Sequence, residues 1–188
     1  LIPVVADSSK EQRITSSLLA VLKSVEDFGK HMLQAVGAPV TKTSKIDCWT
    51  EVVFKRAADK QKSRPDGLII LTLGSKQWSA MVEAKVGSAE LTQEQIEEYL
   101  DIAKENGVNA VITISNQFAA LPTHHPIAVN KQKTKAVSLF HWSWRAIMSE
   151  AILLAEHKGV ADPDQAFLLR ELIRFLEHPA SGVLAFTH

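Results

Sequence analysis

Residues 64–85 read Arg64-Pro65-Asp66-Gly67-Leu68-Ile69-Ile70-Leu71-Thr72-Leu73-Gly74-Ser75-Lys76-Gln77-Trp78-Ser79-Ala80-Met81-Val82-Glu83-Ala84-Lys85. Two runs of β-forming residues flank a Gly-Ser pair, the pattern of a hairpin with a two-residue turn. Glycine at the first central position suits a type II′ turn. In that register Leu73 faces Lys76, Leu68 faces Met81, and Asp66 falls opposite Glu83. The other face pairs Gly67 with Val82, Ile69 with Ala80 and Leu71 with Trp78. That face is wholly apolar, and a slip of one residue would turn it to solvent, so the pattern fixes the register.

Directly opposed residues on one sheet face have Cβ atoms roughly 4.5–5.5 Å apart, and like charges there repel. Asp66 and Glu83 therefore require compensation. A divalent cation with hard oxygen ligands supplies it, and Mg²⁺ takes one or two carboxylates with water and phosphate oxygens. Alternation puts Lys85 on the face of Glu83. The carbonyl of Ala84 lies between them as a further candidate ligand. The expected metal ligands are thus Asp66, Glu83 and Ala84, with Lys85 beside them.

Around the hairpin, apolar residues recur at helical spacing from Ile14 to Leu33, and Gly37 and Pro39 stop that helix. Residues 1–12 read as an extended lead-in. Residues 47–54 read as a strand, and the polar segment 55–64 as a basic loop. The hairpin strands span 66–73 and 77–86. A helix at 92–106, strands at 108–115 and 136–140, and helices at about 142–156 and 163–177 follow. A hairpin followed by a β–α–β unit gives a mixed sheet covered by helices, an α/β fold. The 188 residues suit a single domain, with a core at about 13–157 and a helical extension at about 158–188.

With 21 Lys plus Arg against 21 Asp plus Glu, formal net charge is zero, so any nucleic-acid surface must be local. The densest basic stretch includes Lys62 and Arg64. No apolar run approaches the ~20 residues that span a bilayer, and no membrane partner is expected. Leu1 to Lys10 lacks the charged and apolar regions of a signal peptide. The lone Cys48 excludes an intrachain disulfide and fits a reducing, cytoplasmic setting. No Gly-rich phosphate loop, serine elbow or Cys–His pair is evident.

Pro65-Asp66, a hairpin, Glu83-Ala84-Lys85, then a helix and a strand, resembles the PD-(D/E)XK signature of restriction-endonuclease-like nucleases. The resemblance covers roughly residues 13–116. It implies an αβββαβ core and Mg²⁺- or Mn²⁺-dependent phosphodiester hydrolysis, on DNA rather than RNA. Asp66 and Glu83 would bind the metal, and Lys85 would position or deprotonate the attacking water. Gln95 and Tyr99 resemble a Gln-x-x-x-Tyr helix motif at the active-site rim of recombination helicase–nucleases, although Gln95 also fits a capping box after Thr92. Many family members carry an upstream acid, for which Glu51 or Glu26 is available. Arg64, opposite Lys85 if the pairing runs that far, would clamp a phosphate or depress the Lys85 pKa. A duplex cutter often needs two active sites, so a homodimer is a natural expectation. A silent nucleic-acid- or protein-binding module on the same fold is the alternative.

Adjacent His124 and His125 read as loop residues, and Trp142 and Trp144 as packing between the last helices and the sheet.

Overall fold

The computed structural model describes residues 10–54 and 64–183. Five strands form one sheet in the order β1 (Lys45–Thr50), β2 (Gly67–Leu73), β3 (Lys76–Ala84), β4 (Ala110–Ser115), β5 (Ser138–Ser143). The first three pair antiparallel, and β3, β4 and β5 run parallel. The fold is therefore α/β with a mixed sheet. The described helices are α1 (Lys10–Ser24), α2 (Glu26–Ala35), α3 (Gln93–Glu105), α4 (Trp144–Leu153) and α5 (Pro163–Glu177).

The hairpin register matches the sequence reading, with Gly67 opposite Val82 and Leu73 opposite Lys76. Gly74 takes φ +58°, whereas Glu51 is the one non-glycine residue at positive φ among the described residues. Ser75 is thus at negative φ, which excludes a type I′ turn and agrees with type II′.

Each sheet face carries its own core. Ile69, Leu71, Ala80, Val82, Ile112 and Trp142 pack with α1, α2, α4 and α5. Met81, Val111 and partly buried Leu68 pack with Ile96, Leu100 and Ala103 of α3 on the opposite face. All six residues of β4 are buried, as expected for a parallel strand covered on both sides. Leu169, Leu172 and Leu176 of α5 lie in the first core, so the C-terminal helix is part of the same packing unit.

The N-terminal region differs from its sequence reading. Helix begins by Lys10, within the predicted lead-in, and breaks at Val25 (φ −103°, ψ 92°) into two helices. The break lets α2 fold back against α1 at Gly29. A Cβ there would stand 2.0 Å from the Leu22 carbonyl oxygen, a gap only glycine fits. β1 stops at Thr50, because Glu51 at φ +55° leaves the extended conformation. Predicted strand residues 51–54 are therefore mostly irregular. Most of the basic loop, Lys62 included, lies outside the described residues.

Candidate active site

The site forms where β2 and β3 meet, beyond the last ladder pair on the α3 face. Pro65 is buried, and Asp66 immediately precedes β2. Asp66 Oδ2 accepts a 2.8 Å hydrogen bond from the Ala84 backbone N–H. Just after β3, the Lys85 N–H donates to the Ile114 carbonyl on the β4 side. Strand alternation accordingly turns both backbone groups of Ala84 towards Asp66, the direction its carbonyl needs to join the acids.

Glu83 is 4 % exposed, a burial that a carboxylate tolerates only with partners. Its Oε1 accepts from Lys85 Nζ at 3.0 Å and from Gln95 Nε2 at 2.6 Å. The Tyr99 hydroxyl also hydrogen bonds within the Glu83–Gln95 group. Burial and the Glu83 charge hold the Tyr99 hydroxyl in its neutral form, well above the ordinary phenol value. Helical spacing explains the arrangement, because Gln95 and Tyr99 stand one turn apart on the same side of α3. Thr92 caps this helix by accepting from the Gln95 N–H at 3.2 Å. Gln95 thus fulfils both sequence readings, its backbone in the cap and its side chain on Glu83.

Lys85 Nζ lies between two carboxylates, Glu83 Oε1 at 3.0 Å and Glu11 Oε2 at 3.4 Å. Burial works to lower the Lys85 pKa. The charge of Glu83 and its hydrogen bond, with Glu11 and Asp66 behind them, outweigh burial and raise it. The expected depression by Arg64 is therefore corrected. Arg64 lies 3.9 Å from Glu51 instead, mostly in solvent.

Asp66 is the strained acid of the group. Burial, then the Glu83 charge, pushes its pKa up to about 6, against the pull of the Ala84 N–H and Lys85.

Glu11 is the residue that sequence reading passed over. Glu11, Ile14 and Leu18 share one face of α1, so the acid extends a buried stripe. That spacing was available in the sequence once the helix start was known. The two upstream acids named from the sequence lie in different places. Glu26 opens α2, is ion-paired with Lys30, and is exposed. Glu51 lies on the rim, accepting from Gln12 Nε2 at 3.1 Å and walling a small hollow with Asp66.

Among the described residues, no cluster of three or more His, Cys, Asp or Glu side chains is arranged to hold a metal ion. The donor set nevertheless suits a hard cation. Asp66 and Glu83 are two carboxylates in mutual repulsion, and Mg²⁺ needs only one or two from the protein.

Beside Glu83, at its register position on β4, stands the buried Thr113, with His141 next on β5. His125 Nδ1 lies 3.0 Å from the Ile127 carbonyl and 3.1 Å from the Ile127 N–H, and His125 Nε2 lies 2.8 Å from Thr113 Oγ1. Thr113 Oγ1 lies 2.8 Å from His141 Nδ1, and His141 Nε2 lies 3.1 Å from the Gln117 carbonyl. A neutral His141 that donates from Nε2 to the Gln117 carbonyl has Nδ1 free to accept from Thr113 Oγ1, a tautomer assigned from the network. His125 is thus a loop residue, as the sequence suggests, and a half-buried structural partner. Trp144 is fully buried and donates from Nε1 to the Lys85 carbonyl at 2.8 Å. Asn116 Nδ2 donates to the Gly87 carbonyl, closing the loop after β4.

No protein-family model matches this chain, and neither does any curated protein. Among solved structures, one described as a protein of unknown function, AF1548, aligns with a TM-score of 0.33 and 11 % identity. The alignment covers 78 % of this chain and 94 % of that one. A likeness at that level carries no argument about fold family or activity. No helix among the described residues is long and apolar enough to cross a membrane.

Proposed function

We propose that this chain is a divalent-metal-dependent nuclease with a restriction-endonuclease-like core, hydrolysing phosphodiester bonds of DNA. The observation that carries the reading is the Lys85 ammonium held 3.0 Å from Glu83, with the destabilised Asp66 carboxyl across the hairpin. Asp66 and Glu83, with the Ala84 carbonyl, would hold Mg²⁺ or Mn²⁺. When bound, such an ion polarises a phosphoryl oxygen and lowers the pKa of bound water.

The protein's own groups do the rest. Lys85, kept protonated by its two carboxylates, orients the attacking water and offsets charge developing on the phosphate. Its raised pKa favours positioning over proton abstraction. Gln95 fixes the Glu83 carboxylate through Oε1. Glu11 anchors Lys85 from its other side. Arg64 and Gln12, exposed at the rim beside Asp66, are placed to meet phosphate oxygens. A homodimer would let two such sites cut both strands of a duplex.

The test is incubation of the purified chain with linear and circular DNA plus Mg²⁺ or Mn²⁺. Cleavage that Lys85→Ala abolishes is the expected result. No cleavage with either metal, or cleavage unchanged in Lys85→Ala, would remove the proposal.

One observation favours a second reading. Lys85 already balances Glu83, so the network stands without a cation, as in a binding module on the same fold. Such a module would show no melting shift with Mg²⁺, because no linkage raises its stability.

A further inference from the structure

Three hollows lie in line along the outer edge of β1. The smallest, about 60 Å³, is walled by Gln12, Thr50, Glu51, Arg64 and Asp66. The second, about 430 Å³, shares Thr50 with it and passes Trp49 on its way along α1. The third, about 600 Å³, shares Lys23 and Ser24 with the second and reaches Lys42 and Lys45. Common walls make these one furrow, running from the candidate active site to the start of β1. At about 3.3 Å per residue, the strand beside it is about 20 Å long.

The charges along the furrow are unequal. Lys23 is paired with Asp47 at 2.9 Å, and Glu26 is paired with Lys30. Among the described residues, Lys42 and Lys45 form no ion pair, which leaves two uncompensated ammonium groups at the far end. Midway, Trp49 is 55 % exposed; it stands opposite Leu68, so it rises from the sheet face away from α1 and borders the furrow at the open edge of β1. An exposed indole offers a stacking face that only an unstacked base can use. A duplex places one phosphate per ~1.7 Å of axis and calls for a broad basic surface. This chain has zero net charge and only local lysines.

We infer that the furrow binds a single strand of nucleic acid and leads it to Asp66, with Trp49 stacking a base and Lys42 and Lys45 meeting phosphates. The inference rests on the nuclease reading for its direction, and not for its chemistry. The substrate class it names is a single strand or a frayed end.

The test measures binding without metal, so hydrolysis plays no part. Fluorescein-labelled dT12 and a blunt twelve-base-pair duplex are titrated in EDTA across a salt series. Fluorescence anisotropy is read for the wild type, a Lys42→Ala/Lys45→Ala double variant, and Trp49→Ala. The dT12 strand is expected to bind more tightly than the duplex. The double variant should lower the slope of log affinity against log salt by about 1.4, or roughly 0.7 per lost contact. Trp49→Ala should weaken dT12 binding roughly five-fold or more, and Trp49→Phe should retain most of it. Equal or tighter duplex binding, or a slope unchanged in the double variant, would overturn the furrow. If that happens while Mg²⁺-dependent cleavage persists, the furrow alone falls. If strand binding behaves as expected and no metal supports cleavage, the furrow stands and the nuclease reading falls.

Discussion

Gln95 Nε2 donates a 2.6 Å hydrogen bond to Glu83 Oε1, joining α3 to the end of β3. Partners that orient a metal-binding carboxylate commonly contribute about 10–100-fold in metal affinity or activity. Gln95→Ala is expected to lower the cleavage rate by about that factor. The variant's backbone cap persists, since Thr92 Oγ1 serves the Gln95 N–H and not its side chain. Single-turnover kinetics alongside thermal melting would separate the two contributions. A rate equal to wild type would remove Gln95 from the site.

Asp66 predicts a pH dependence of defined sign. Its pKa in the folded protein is about 6, above the ordinary 3.8. A raised acid contributes stability that is present below pH 3.8 and lost as pH rises through about 6. Without metal, wild type should therefore lose about 2 kcal/mol relative to Asp66→Asn between pH 4 and pH 7, after allowance for partial exposure. Urea unfolding at a series of pH values measures the difference. A cation favours the ionised form, so Mn²⁺ affinity should fall as pH drops below about 6.

Trp144 provides a structural control on Lys85. Trp144→Phe keeps most of the ring but leaves the Lys85 carbonyl without its 2.8 Å donor. A buried acceptor left unpaired costs about 1–3 kcal/mol. The melting temperature should fall accordingly, and the cleavage rate should fall further than the temperature shift alone explains at saturating folded protein. An unchanged rate would mean that Lys85 holds its place without this bond.

The hairpin was legible because both of its faces constrain it: a slip would expose Ile69, Leu71 and Val82 together. Asp66, Glu83 and Lys85 followed from that register and from the resemblance carried by Pro65-Asp66 and Glu83-Ala84-Lys85. The N-terminal region was less legible. Val25 is apolar and continues the helical period, so only the close approach of Gly29 to Leu22 betrays the break, and that is a tertiary fact. Glu51 looked like a strand residue because β propensity surrounds it, yet its φ of +55° is imposed at the strand's end. Glu11 was hidden by its polar neighbours Lys10 and Gln12. The pairing of His125 with His141 spans the loop between β4 and β5, which no local pattern encodes.

His141 predicts the opposite acid response to Asp66. Burial, against the pull of the Gln117 carbonyl, lowers its pKa from 6.5 to about 4, and His125 adds to the lowering. A lowered histidine contributes stability that is present above pH 6.5 and lost as pH falls through about 4. The loss is on the order of 3 kcal/mol for wild type. His141→Gln should show a flatter profile over that interval in urea unfolding. Parallel profiles for the two proteins would mean that His141 is not held neutral by its burial.

The proposed nuclease shares one divalent cation between acids on neighbouring strands. Isothermal titration of Mn²⁺ into the metal-free chain at pH 7.5 tests it without reference to any substrate. One site per chain is predicted for wild type, with binding lost in both Asp66→Asn and Glu83→Gln. Absence of binding at millimolar Mn²⁺, or equal binding in either variant, would contradict the account.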